Sequence, residues 1–218
     1  MRKETGFTLI ELMVTIALLA LFAVIALPAM NGMIEKQRVT STLSNYTNAL
    51  TYARNEAIRQ NIPVEVCGAQ ISSAGQLSKC SGVNDWSEGI FLFGKVNKEI
   101  GYRTDVTPAD INIRVVKSPN ESGGISRVII NSSVRKSTGG AIASLPHFQF
   151  LPNGQVARLD TSNKLVVADM YLRLEVVSVN DDQKKAVALM DPTGQIIHCT
   201  KKVIDSNSGN NIATYCTS

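Results

Sequence analysis

Few residues of this sequence have the types and spacing to do chemistry. There are two histidines, His147 and His198. His147 belongs to the strand-like run LPHFQF, and His198 stands beside Cys199 with no CxxC or HxxxH spacing around it, so neither has the partners of a general base or a zinc site. The GxSxG, HExxH, GxGxxG and phosphate-loop spacings are absent. Ser122-Gly123-Gly124 and Thr138-Gly139-Gly140 lack the lysine and helix that follow in a phosphate cradle and read as loops. Asp181-Asp182 reads as a solvated turn, because calcium would need further oxygen ligands. No enzyme activity, cofactor or metal is expected from these residues. The unusual charge is Glu11, which lies in the apolar run GFTLIELMV, residues 6–14, with no basic residue close by. In hydrocarbon a carboxylate costs on the order of 3 kcal/mol, so Glu11 requires a cation, a hydrogen-bonding neighbour or interfacial water.

The element that carries Glu11 is apolar from Leu12 to Leu27 apart from Thr15, and with its flanks it has the length of a membrane-spanning helix. Arg2 and Lys3 precede it, while Glu35, Lys36 and Arg38 follow, which favours a cytoplasmic N-terminus and a translocated remainder. A secretory signal has a shorter apolar region followed by a small-residue cleavage site. Here the small residue, Gly6, comes first, so a cut after it leaves the helix attached. The leader ending in Gly6, followed by FTLIELMVTIALLALFAVIALP, resembles the class III signal of type IV pilins and type II secretion pseudopilins. The resemblance implies that a prepilin peptidase cuts between Gly6 and Phe7 and methylates the new Phe7 amine. It also implies that Glu11 pairs with the N-terminal amine of an adjacent subunit, and that the chain sits in the bacterial inner membrane with a periplasmic head before entering a filament.

Pro28 interrupts the helical pattern and is expected to kink it. Beyond it Val39, Leu43, Tyr46, Leu50, Ala53 and Ala57 recur at steps of three and four, one apolar face of an amphipathic helix, while Arg54, Glu56 and Arg59 fall elsewhere. That helix is expected to end near Asn61, ahead of Pro63. The spacing then changes to strand-like runs: 64–67, 89–96, 111–116, 127–131, 147–151, 164–179 and 185–191. Turn signals at Pro152-Asn153-Gly154, at Asn180-Asp181-Asp182 and from Asp191 to Gly194 predict antiparallel hairpins. One long helix and then strands give an α+β chain, and the resemblance makes this the type IV pilin fold, a long N-terminal helix packed on an antiparallel β-sheet head.

The four cysteines, Cys67, Cys80, Cys199 and Cys216, are even in number and lie beyond the apolar segment, as suits an oxidising compartment. They allow three pairings, of which the nearest-neighbour one, 67 with 80 and 199 with 216, closes two loops and is the expected one. Each closure contributes about 3 kcal/mol by chain entropy.

In the head, the two cysteines around a loop, then DWSEGIFLF (85–93) and FQFLPNGQV (148–156), resemble the GspH, FimT and FimU group of pseudopilins and minor pilins. The expected organisation is a leader at 1–6, a transmembrane and filament-core helix at 7–30, an amphipathic helix at 31–62 and a β-rich periplasmic head at 63–218. Trp86 is expected to pack a loop onto the sheet. The resemblance implies other minor and major pilins or pseudopilins as partners, a tip or priming subunit of a type IV pilus as the leading role, and a type II secretion pseudopilin as its rival. A DNA-binding tip subunit is the third reading, with Arg158, Arg173, Lys201 and Lys202 as the basic surface. The net charge of +4 gives that reading little support. The place of the GRxR-like stretch associated with DNA capture reads TGQIIHCTKKV here, where Gln195 and His198 replace basic residues, and this favours an assembly role.

Overall fold

The structure is a computed structural model that describes residues 8–71, 77–80, 82, 85–96, 102, 104–105, 107–118, 128–136, 141–142, 147–159, 165–167, 170–207 and 211–217. Helix α1 (Leu9–Gln60) runs unbroken for 52 residues, about 78 Å at 1.5 Å per residue. It continues through Pro28, whose side chain lies outside the described residues. It stops where Asn61 adopts the left-handed conformation, φ 54°, with Pro63 excluding further helix two residues on. Every residue of the apolar face expected on α1 is buried, and Ala49 joins them. Glu56 departs from the pattern: it is only 8% exposed, its carboxylate held by Arg59 and Gln60.

Two antiparallel sheets share that helical face. The strands are β1 (Val64–Ile71), β2 (Leu77–Cys80), β3 (Gly89–Gly94), β4 (Ile111–Lys117), β5 (Val128–Lys136), β6 (Ala141–Ile142), β7 (His147–Phe150), β8 (Val156–Leu159), β9 (Leu165–Val167), β10 (Met170–Ser178), β11 (Lys185–Met190) and β12 (Ile196–His198). The first sheet has the order β4-β3-β1-β7-β8-β9, with β2 also paired to β1; the second has β12-β11-β10-β5-β6. The three turn signals join β7 to β8, β10 to β11 and β11 to β12, all antiparallel.

The run 164–179, read as one strand, is divided between sheets: β9 lies at the edge of the first and β10 inside the second. An unbroken strand of that length would be far outside the usual three to ten or so residues, roughly, and twist prevents one sheet from using all of it. The stretch between Cys67 and Cys80, read as a loop, extends β1 and adds β2, with Ala69 opposite Cys80. The stretch between Cys199 and Cys216, also read as a loop, contains α2 (Lys201–Ser206) and α3 (Asn211–Thr217). Cys67 is bonded to Cys80 and Cys199 to Cys216.

Trp86 is fully buried where helix and both sheets meet. Its ring lies 6.2 Å from that of Phe148 in β7, its backbone N–H donates to the Ile130 carbonyl of β5 at 2.8 Å, and its backbone carbonyl accepts the Tyr46 hydroxyl of α1 at 2.9 Å.

Pleat alternation splits β1 into two environments. Val64 and Val66 face the helix, whereas Cys67 and Ala69 join Phe91 and Phe93 in a second, smaller core on the far side of the sheet, with Tyr102 packed edge-on against both phenylalanines. Glu65 is 1% exposed and accepts one hydrogen bond from the Gln149 amide at 3.0 Å, its other oxygen having no partner among the described residues. Burial pushes its carboxyl up to about 7, against the Gln149 hydrogen bond and the Lys95 charge, both of which lower it, and with a small push upward from Asp110. Because the folded value lies above the unfolded one, the folded state holds the proton more tightly. Stability is then highest below about pH 4.5 and is lost as pH rises to 7, up to roughly 3 kcal/mol. Glu65→Gln keeps the acceptor for Gln149 and removes this dependence. Its thermal midpoint is expected to exceed that of the parent by a margin that grows from pH 5 to pH 8. A margin independent of pH would refute the buried-charge account.

Candidate assembly site

The N-terminal part of α1 stands clear of the head. Its large apolar side chains from Leu9 to Val24 are 50–76% exposed, and among the described side chains the first buried one is Val39. Between these lies Glu35, which accepts Ser178 Oγ at 3.0 Å and Asn180 Nδ2 at 3.3 Å and pairs with Arg38. These contacts fasten the helix to the end of β10 and its following turn. Met30, Met33 and Ile34 below them are exposed, so exposed apolar side chains are found again at the foot of the head. Among the described residues no helix is long and apolar enough to cross a membrane; the side chains described without a break run from Thr8 to Val24.

Glu11 occupies the first turn of α1. Thr8 caps the helix, its hydroxyl accepting the Glu11 N–H at 3.3 Å, and its carbonyl accepts the Leu12 N–H at 3.2 Å. Thr8-Leu9-Ile10-Glu11 has the S/T-x-x-E order of a capping box, in which a carboxylate at the third helical position is stabilised by the amide ends of the first turn. Glu11 therefore has a local electrostatic reason to be where it is, a signal present in the sequence but obscured by the apolar residues around it. The other polar residue of the run, Thr15, donates its hydroxyl to the Leu12 carbonyl at 2.8 Å and needs no outside partner. Gly6 and Phe7 lie outside the described residues, as do the glycine-rich stretches 122–124 and 138–140.

Of the basic residues assigned above to a DNA surface, Arg173 is taken up inside the head. Arg173 is 5% exposed, its Nε donating to the Tyr215 carbonyl at 2.9 Å and its two terminal nitrogens to Glu175 at 2.9 and 3.0 Å. It holds α3 against β10, and its guanidinium keeps Glu175 below the usual carboxylate range. A buried, fully paired guanidinium cannot meet a phosphate. Lys201 and Lys202 are exposed on α2, and Arg158 is half-buried on β8 of the other sheet. His147 is half-buried on β7, and burial lowers its pKa. His198 is exposed on β12. Among the described residues no three His, Cys, Asp or Glu side chains are grouped to hold a metal.

A capped apolar helix that projects from, and continues into, a disulfide-bonded head of two sheets defines an assembly subunit of the pilin type. Residues 1–27 match the prokaryotic N-terminal methylation motif, and residues 43–187, more than half of the chain, match the family described as type II transport protein GspH. The chain belongs to that GspH family, whose members are structural pilin and pseudopilin subunits, not enzymes, and assemble with other pilins or pseudopilins in filaments. The motif marks a membrane-anchored component of such a filament. Among curated proteins none matches. Among solved structures the chain is similar to the type IV minor pilin FimU of Pseudomonas aeruginosa, at 15% identity and a TM-score of 0.46, over 76% of this chain and 91% of that one. It is also similar to the minor pseudopilin EpsH of the type 2 secretion system of Vibrio cholerae, at 8% identity and a TM-score of 0.38, over 74% and 95%. The family assignment rests on the sequence matches and not on these distant likenesses.

Proposed function

We propose that this protein is a minor pilin of a type IV pilus, a structural subunit of the tip or priming complex that supports pilus assembly. In this reading a prepilin peptidase removes residues 1–6, Phe7 becomes the methylated N-terminus, residues 7–30 form the single membrane span and later the filament core, and residues 31–62 carry the helix into the periplasmic head at 63–218. The observation that supports it best is the change along one continuous helix, from side chains 50–76% exposed before Val24 to side chains buried from Val39 onward. Among its described side chains the large apolar ones from Leu9 to Val24 are left exposed by their own chain, and burial against other helices or lipid stabilises them by about 25 cal/mol per Å².

A second reading, a minor pseudopilin of a type II secretion system, is favoured by the description of the matched family. The two differ in their partners. Capture of the full-length chain from its native membranes is expected to bring down other type IV pilins. Recovery of secretion pseudopilins instead would establish the second reading, and recovery of neither would overturn both.

A further inference from the structure

Arg54, which the apolar face of α1 leaves to one side, meets two turns that resemble each other in sequence and geometry. Pro152-Asn153-Gly154-Gln155 links β7 to β8 in the first sheet, and Pro192-Thr193-Gly194-Gln195 links β11 to β12 in the second. In each, the N–H of the residue before proline donates to the glutamine carbonyl at 2.9 Å, and the glycine N–H returns to that same residue's carbonyl at 2.8 or 2.9 Å. The glycines have nearly equal positive φ values, 79° at Gly154 and 81° at Gly194. A side chain at either position would be strained by the backbone alone. The turns are also bonded to one another, the Val156 N–H donating to the Pro192 carbonyl at 3.0 Å.

Arg54 lies against both. Its Nε donates to the Gly154 carbonyl at 3.0 Å. A methyl group on Gly154 would meet Arg54 Nε at 3.2 Å, and one on Gly194 would meet its Nε at 2.7 Å and its Cδ at 2.8 Å. Glycine at these two places thus serves the approach of the arginine as well as the turn. The flat guanidinium and its stem occupy a slot into which a side chain at either glycine would project.

We propose that Arg54 and the paired Pro-x-Gly-Gln turns form one clasp, a positioning device that fixes the helix to both sheets at a single point, so that the two sheets respond together to any displacement of α1. This goes beyond the assembly role, which concerns the opposite end of the helix, and it holds whichever filament the chain enters. The test is residue-resolved amide exchange on the full-length chain in detergent. Arg54→Ala should raise exchange of the Gly154, Val156 and Gly194 N–H groups together, by roughly ten- to a hundredfold, as expected for loss of a charged hydrogen bond. The emission of the single tryptophan, Trp86, should stay unchanged. Arg54→Lys can still donate to the Gly154 carbonyl but has no flat group for the slot, so it should restore protection at Gly154 and leave Gly194 exchanging fast. Faster exchange in only one turn of the Ala variant, equal acceleration throughout the head, or no change would each overturn the clasp.

Discussion

Glu11→Ala is expected to leave the head folded and to reduce recovery of the chain with its partner pilins by about a hundredfold, the equivalent of roughly 3 kcal/mol lost when one member of a desolvated ion pair is removed. Two roles must be separated. Glu11 is the third helical residue after the Thr8 cap, in capping-box order, so loss of its carboxylate also weakens the first turn of α1. Glu11→Gln distinguishes them, because an amide can complete a capping box but cannot neutralise an amine. The assembly account predicts that Glu11→Gln fails as badly as Glu11→Ala. If Glu11→Gln assembles normally while Glu11→Ala does not, the carboxylate serves only to start the helix. Circular dichroism of both variants checks that the head is intact.

The second large effect is in the head. Trp86→Ala empties the site where Tyr46, Phe148 and Ile130 converge, and it should cost roughly 3–5 kcal/mol through lost burial and the cavity left behind. For a chain of this size that lowers the thermal midpoint by roughly 6–20 °C. Trp86→Phe should cost much less. The backbone of residue 86 still accepts the Tyr46 hydroxyl, and the indole N–H that disappears makes no hydrogen bond among the described residues. Calorimetry of the full-length chain in detergent gives both numbers. Equal losses in the two variants would show that the indole ring fills space that phenyl cannot, and that the orphaned N–H is of no consequence.

The parts of this protein most legible in the sequence are those where one local rule decides the outcome. The apolar face from Val39 to Ala57 repeats at helical spacing and is buried as that spacing requires. The turns at Pro152, Asn180 and Asp191 carry residues that preset their geometry, and each makes an antiparallel hairpin, although only the one at Asn180 joins two runs read as strands; β8 and β12, four and three residues long, are not among the runs read as strands. The nearest-neighbour pairing of the cysteines agrees with the two disulfides of the structure.

The parts that escaped are those decided by tertiary contacts. A run of alternating residues from 164 to 179 reads as one strand, since nothing local says that β9 and β10 belong to different sheets. The helices α2 and α3 are six and seven residues long, too short for a periodic signal, and α3 is held by Cys216 and the Arg173 bond to Tyr215. Arg173 shows the same limit from the other side: in sequence it is one more basic residue, and only the fold reveals that it is buried against Glu175. Glu11 is the reverse case, a residue conspicuous for its charge whose capping partner, Thr8, stood three positions away in plain sequence.

The measurement that bears most directly on the assembly role is the identity of the N-terminal residue in the mature protein. Mass spectrometry of the N-terminal peptide, taken from full-length protein isolated from its native membranes, should find a chain that begins at Phe7 with a methylated amine and retains the apolar helix. A chain that still begins at Met1, or one that begins beyond Leu27 with the helix removed, would contradict the account, because Glu11 would then have no such amine to meet or would no longer be part of the protein.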